Sequence, residues 1–268
     1  MRLERSVLTV IPVSFGLAAG GVATAQEPEF ADDAISAPET GENTGASEPD
    51  FSVAATVTLA SEYRFRGIDL TDGDPALQGS VDLAHASGFY VGAWASNLDE
   101  ATVGYGAIEL DLYAGWSGPI AEGLTADIGF IAYTYPDAGR GDFDYYEVYG
   151  SLAYSIGPVS SKVGVAYDPR QGGLAFGDLR RDNIYLYNDW TVGLGGTPVT
   201  LTAHLGYTDG ALTFTRDSKS LDWRLSADWA ITRNLTASAA YIDTEADVIA
   251  GQFNPTSGAF VASISSSF

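Results

Sequence analysis

From Phe51 onward the side chains alternate strictly, and no other feature of this sequence limits its fold as much. Phe51, Val53, Ala55, Val57, Leu59, Tyr63 and Phe65 share one parity; Ser52, Ala54, Thr56, Thr58, Glu62, Arg64 and Arg66 share the other. Successive side chains of a strand point to opposite faces, so this pattern makes one apolar and one polar face. A helix would place Glu62 and Arg66 among apolar neighbours. The rhythm recurs and predicts twelve strands, at 51–66, 76–85, 88–98, 106–117, 123–135, 143–156, 158–168, 182–194, 198–208, 220–231, 234–244 and 258–268. Short connections, such as Gly157-Pro158, alternate with long ones, such as 169–181. Antiparallel strands joined this way carry all long loops at one end and all short turns at the other. The expected fold is therefore all-β: an antiparallel up-and-down transmembrane barrel with short periplasmic turns and longer extracellular loops.

Alternation alone does not say which face is inside. The apolar parity is almost free of charge, with Val81, Leu83, Ile108, Leu110, Leu112, Val163, Val165, Leu201, Leu205, Leu225, Trp229, Ala262 and Ile264 among its members. A charge on a lipid-facing position costs about 2–4 kcal/mol at the bilayer midplane, which accounts for that absence. Aromatic residues of the same parity gather near strand ends. Tyr63, Phe65, Tyr146, Tyr167, Tyr207, Trp223, Tyr241 and Phe260 fall by the long loops; Phe89, Trp116, Tyr154 and Phe268 fall by the short turns. Two interfacial girdles are expected from this placement. The apolar face is also rich in Ala and Gly, thin material for a soluble core.

The chain divides into three parts. Residues 1–25 read as a signal peptide: Arg2 and Arg5, a mostly apolar stretch from Ser6 to Val22, and a small-x-small site at Ala23-Thr24-Ala25. Residues 26–50 hold eight carboxylates, three prolines and no base. Like-charge repulsion and scarce apolar surface predict a flexible, disordered periplasmic linker. Residues 51–268 form the barrel. The whole chain carries 13 Lys and Arg against 35 Asp and Glu, a formal charge of −22, which argues against a nucleic-acid partner. It has no cysteine, which excludes thiolate chemistry and disulfides, and two histidines, which leaves little for a metal. No cofactor is expected.

Several segments resemble the TorF family of outer-membrane porins. They are Ser61-Glu62-Tyr63-Arg64-Phe65-Arg66-Gly67-Ile68, Thr71-Asp72-Gly73-Asp74-Pro75-Ala76-Leu77-Gln78-Gly79, Gly88-Phe89-Tyr90-Val91-Gly92 and Trp94-Ala95-Ser96-Asn97, continued by Tyr145-Tyr146-Glu147-Val148-Tyr149. The likeness is dense over 61–97 and diffuse afterwards. It implies an outer-membrane barrel that passes small solutes, without naming one. The closing strand, ending in Phe268, is similar to the signal by which such barrels engage their assembly machinery. Lipid and lipopolysaccharide are the other expected partners.

With the apolar face on lipid, the polar face lines the pore. Its ionisable members are Glu62, Arg64, Arg66, Asp82, Glu109, Asp111, Asp127, Glu147, Lys162, Asp189, Asp222, Arg224 and Asp228: nine acids against four bases. A wet lumen with that excess favours cations or small polar solutes. Alternatively, the bases pair with facing carboxylates and brace a narrow or plugged barrel. Glu62, Arg64 and Arg66 would stack along one strand near the outer mouth, as an anion-attracting spot or, by slight preference, as an ion-pair latch with Asp82. Asp69, Asp72 and Asp74 have calcium-ligand chemistry but not the EF-hand spacing, so surface acidity or a lipopolysaccharide-bound divalent ion is the plainer reading. A hydrolase is the rival of another class. His204 falls mid-strand on the lumen parity with no evident Ser and Asp or Asn around it, and no G-x-S-x-G elbow occurs.

Overall fold

The computed structural model describes residues 24–25, 50–138, 143–175, 181–213, 215, 217–246 and 255–268. The signal-peptide and linker expectations lie outside these, apart from Thr24, Ala25 and Asp50. Twelve antiparallel strands close into one barrel. They are β1 (Phe51–Ala60), β2 (Ala76–His85), β3 (Phe89–Asn97), β4 (Ile108–Ala121), β5 (Leu124–Thr134), β6 (Tyr145–Ile156), β7 (Val159–Asp168), β8 (Asn183–Gly193), β9 (Val199–Gly210), β10 (Lys219–Ala230), β11 (Leu235–Ala246) and β12 (Ala259–Ser267). Each pairs with its neighbours in sequence, and β12 closes on β1. The closing seam is the shortest ladder, Thr56–Ala60 against Ser263–Ser267, extended by the Phe268–Ala55 backbone pair. Across it Thr58 Oγ1 and Ser265 Oγ lie 2.8 Å apart.

The alternation sorts as the sequence predicts. Val53 is 68% exposed on the outer face of β1, while Thr58 inside is 9% exposed. Val81, Leu112, Val163, Leu225 and Ile264 are likewise exposed outside. A water-soluble protein does not display such a continuous apolar belt, and a barrel facing hydrocarbon does. Outer aromatics pack side by side at the long-loop end, with Trp223 and Tyr241 centroids 5.3 Å apart and Tyr241 and Phe260 4.9 Å apart.

Inside, glycine makes room for tyrosine. Tyr113 lies across Gly92, Tyr149 across Gly129 and Tyr187 across Gly164, each pair directly opposite in the ladder. A Cβ on Gly92, Gly129 or Gly164 would stand 2.2–2.3 Å from the ring or hydroxyl of its tyrosine. The glycine is a notch that lets the ring lie flat on the inner wall and keep its hydroxyl in the lumen.

One predicted strand is cut short. The alternation through 61–66 implies that the first strand runs to Arg66 with Tyr63 and Phe65 on lipid. Instead β1 ends at Ala60 and the chain turns into the barrel. Arg64–Phe65 pairs with Ile68–Asp69 as a small antiparallel hairpin. Thr24–Ala25 lies parallel to its first arm. Tyr63, Arg64, Phe65, Arg66, Ile68, Asp69, Leu70 and Thr71 are all buried. The cause lies in the turn. Arg66 and Gly67 both adopt positive φ, +49° and +78°, which reverses the chain within two residues and sends Ile68 and Leu70 back through the lumen. Their apolar side chains, with Tyr63 and Phe65, then find cover among Tyr105, Tyr133, Tyr135, Tyr145, Leu174 and Leu212. Neither Tyr63 nor Phe65 belongs to a girdle.

Candidate functional site: a hairpin seated in a charged lumen

The hairpin crosses the lumen and touches three sides of it. At its tip Gly67 meets β10 and β11 so closely that a Cβ there would lie 2.0 Å from Thr244 Oγ1 and 2.9 Å from Asp222 Cβ. On another side the Arg66 guanidinium donates through Nη2 to Glu147 Oε2 of β6 at 2.5 Å, with Nη1 3.8 Å from Asp168 Oδ2 of β7. Arg64 ion-pairs with Glu62 through Nε and donates through Nη1 to the Ser257 carbonyl at 2.8 Å, next to β12. Asp69 N–H donates to the Pro255 carbonyl at 2.8 Å, and the Leu70 carbonyl accepts from Asp99 N–H at 2.9 Å. Tyr63 O–H donates to Glu109 Oε2 at 3.0 Å. Burial, reinforced by the Glu109 charge, pushes the Tyr63 phenol well up, so it stays a proton donor.

These contacts replace the expected latch. Arg64 and Arg66 do not line a strand of the barrel wall, and they ion-pair with Glu62, Glu147 and Asp168. Asp82 instead accepts from Tyr113 O–H and from Ser80 Oγ, the latter at 3.2 Å. Asp69 is not surface acidity either. It is buried and accepts from Thr71 N–H at 2.9 Å, an Asx-type turn inside the barrel. Among the described residues no group of three His, Cys, Asp or Glu side chains is placed to hold a metal ion.

The remaining wall residues fall on the inner face. Glu109, Asp111, Asp127, Glu147, Asp189, Asp222, Arg224 and Asp228 are buried, and Asp82 and Lys162 are half-buried. Tyr90 O–H donates to Asp127 Oδ1 at 2.7 Å and meets Tyr149 O–H at 2.6 Å. His204 sits between two carboxylates: Nδ1 is 2.6 Å from Asp189 Oδ1, and Nε2 is 3.0 Å from Asp222 Oδ2 and 2.8 Å from the Tyr185 hydroxyl. Asp189 also lies near Lys162 and Arg224. Glu109, Asp111 and Glu147 come together on the hairpin's side of the lumen, where Asp111 has Trp94 and Tyr133 as ladder neighbours.

Sequence reasoning missed two features of this site. Asp168 is fully buried beside Arg66, yet it shares the inward parity of Lys162, and extending that parity to the strand end would have found it. His204 does have acidic neighbours, because Asp189 stands directly opposite it in the β8–β9 ladder. An aspartate on Nδ1 is how a general base is oriented. Yet Nε2 is taken by Tyr185 and Asp222, and among the described residues no serine hydrogen-bonds to the ring.

A closed twelve-stranded antiparallel barrel, apolar outside and charged within, defines a porin-like β-barrel. The chain belongs to the Gcw_chp family, described as bacterial proteins of unknown function, which matches residues 42–268. No curated protein sequence matches it. Among solved structures, it is similar to the KdgM porin captured with disordered oligogalacturonate, at 8% identity and a TM-score of 0.53, over 81% of this chain and 98% of that one. The outer-membrane protein opdK of Pseudomonas aeruginosa matches at 13% identity and a TM-score of 0.44, over 83% of this chain and 68% of that one. At such identities the KdgM likeness is one of fold.

Proposed function

We propose that this chain is an outer-membrane channel for passive diffusion of small polar solutes or ions, leaning toward cations. The observation that carries the proposal is the sorting of the barrel: an exposed apolar belt surrounds an inner wall where carboxylates outnumber bases. Rings of Asp and Glu attract cations directly. Oligogalacturonate, the sugar acid held by the KdgM porin, carries carboxylates of its own, and an acidic lumen repels it, so that substrate does not transfer. Delivery through the N-terminal signal peptide and the terminal Phe268 fits this reading, as does the TorF likeness over 61–97.

A second reading has its own observation. The buried hairpin and the aromatic cluster around it occupy the long-loop half of the interior, which favours a plugged barrel with a structural or adhesive role. Single-channel recording of the refolded protein in planar bilayers, with the reversal potential under a KCl gradient, separates the two. Discrete steps with a cation-selective reversal potential support the channel. A correctly folded, heat-modifiable barrel that passes no current in any variant, including one with 62–70 replaced by a Gly/Ser linker, sinks it.

A further inference from the structure

The Arg66 guanidinium is held as a ligand is held. Glu147 and Asp168 flank it, and both have no solvent exposure. The Tyr185 ring lies under its Cζ at 4.4 Å and the Phe65 ring at 4.7 Å. One guanidinium nitrogen hydrogen-bonds a carboxylate, a second lies within ion-pair reach of another, and the plane stacks on an aromatic face, which is chemistry by which proteins recognise a guanidinium.

The box belongs to the barrel and not to the hairpin. Glu147, Asp168 and Tyr185 come from β6, β7 and β8, consecutive neighbours in the wall. Their poses are set by other wall residues: Tyr133 O–H donates to Glu147 Oε1 at 3.4 Å, and Asn183 Nδ2 donates to Asp168 Oδ2 at 3.2 Å. Tyr185 O–H donates to Asp222 Oδ2 at 3.2 Å. Only Phe65 arrives with the arginine. The arginine is delivered from 81 positions before Glu147, on a turn whose backbone φ of +49° disfavours any residue with a side chain. Wall and occupant are therefore separate parts, and withdrawal of the hairpin leaves a cation box on the solute path.

We infer that Glu147, Asp168 and Tyr185 form a binding site for guanidinium-bearing solutes, which Arg66 fills as a tethered occupant while the hairpin is docked. The inference deepens the channel proposal by naming a solute class. A tethered group competes at an effective concentration in the millimolar range, so free solute binds the wild type weakly and binds more tightly once the Arg66 side chain is removed.

The test is calorimetric titration of methylguanidinium, at concentrations too low to denature, into the full refolded chain and its Arg66→Ala variant. The expected result is affinity at least about tenfold tighter for the variant, in line with loss of an intramolecular competitor. N-Methylurea, equal in shape and uncharged, should not bind, and adding Glu147→Gln should erase the gain. Should Arg66→Ala fail to give a heat-modifiable barrel, Arg66→Gly serves instead, because it removes the same guanidinium and suits the backbone φ of +49°. Equal affinity in variant and wild type, or equal binding of N-methylurea, overturns the inference. Binding without any conductance leaves the site standing and sinks the channel; conductance without binding does the reverse.

Discussion

Gly67→Ala is the sharpest probe of the docked hairpin. The glycine has φ +78°, where an L side chain costs about 1–2 kcal/mol. The added methyl also needs space that Thr244 and Asp222 already fill. Thr244 Oγ1 can rotate away from 2.0 Å, but Asp222 Cβ at 2.9 Å and Thr244 Cβ at 3.3 Å are anchored in strands. Overpacking of that kind typically costs about 1–3 kcal/mol. The two costs fall on the docked hairpin and spare the undocked one, so they shift that equilibrium by about 2–5 kcal/mol, roughly thirtyfold at the lower end. Trypsin reads the shift. Arg64 and Arg66 are 2% and 4% exposed and cannot be cleaved in place. Cleavage of a transiently opened segment follows its open population when reclosing is fast. Mass spectrometry should therefore find fragments ending at Arg64 and Arg66 appearing at least about thirty times faster in the variant, by the same arithmetic. Gly73→Ala is the control, since Gly73 has φ +76° but only Glu62 Oε2 nearby, at 4.0 Å. Unchanged cleavage in a Gly67→Ala barrel that keeps its heat-modifiable mobility would refute the seating of the tip against β10 and β11.

Three further outcomes are expected. Gly129→Ala drives the Tyr149 ring off its notch and away from Tyr90, and should lower stability by about 1–3 kcal/mol in urea titrations in micelles. Leu112→Arg puts a charge on the apolar belt and should cost about 2–4 kcal/mol on refolding into vesicles, if Leu112 lies near the midplane. His204→Phe leaves Asp189 and Asp222 buried without their shared partner and should cost about 3–5 kcal/mol; adding Asp189→Asn and Asp222→Asn should restore part of that, and no restoration would show that the imidazole is not what compensates them.

Eleven of the twelve strands were legible because each has a buried and a lipid-exposed face, and parity marks both. The exception shows what parity leaves out. Tyr63 and Phe65 continue the apolar parity of β1 without a break, so nothing in their spacing separates a strand on the barrel wall from a hairpin arm inside it. The clue lay further on. Gly67 offers a turn, and Ile68 and Leu70 are apolar residues in what would otherwise be a solvated loop. The polar parity names thirteen charged residues by type, without Asp168 or Asp69, and it does not name their partners. Arg66 meets Glu147 and Asp168 through chain separations that only the closed barrel brings together, whereas the Asp189–His204 pair needs only the register of adjacent strands.

The short seam between β12 and β1 has a consequence for the order in which the molecule is put together. It joins hydroxyls 211 positions apart, Thr56 Oγ1 and Ser267 Oγ, so it pays the longest loop closure of any ladder. Phe51–Ala54 pairs with β2 and, among the described residues, has no ladder partner on its other side. The hairpin follows β1 directly, and its Arg64 reaches the Ser257 carbonyl just ahead of β12. While the sheet is still open, Arg66 can swing onto β6 and β7 from the side. Once the ring is shut, the same segment can enter only lengthwise through the outer mouth. A segment encoded next to the first strand thus has sideways access to the wall only until the last strand closes it.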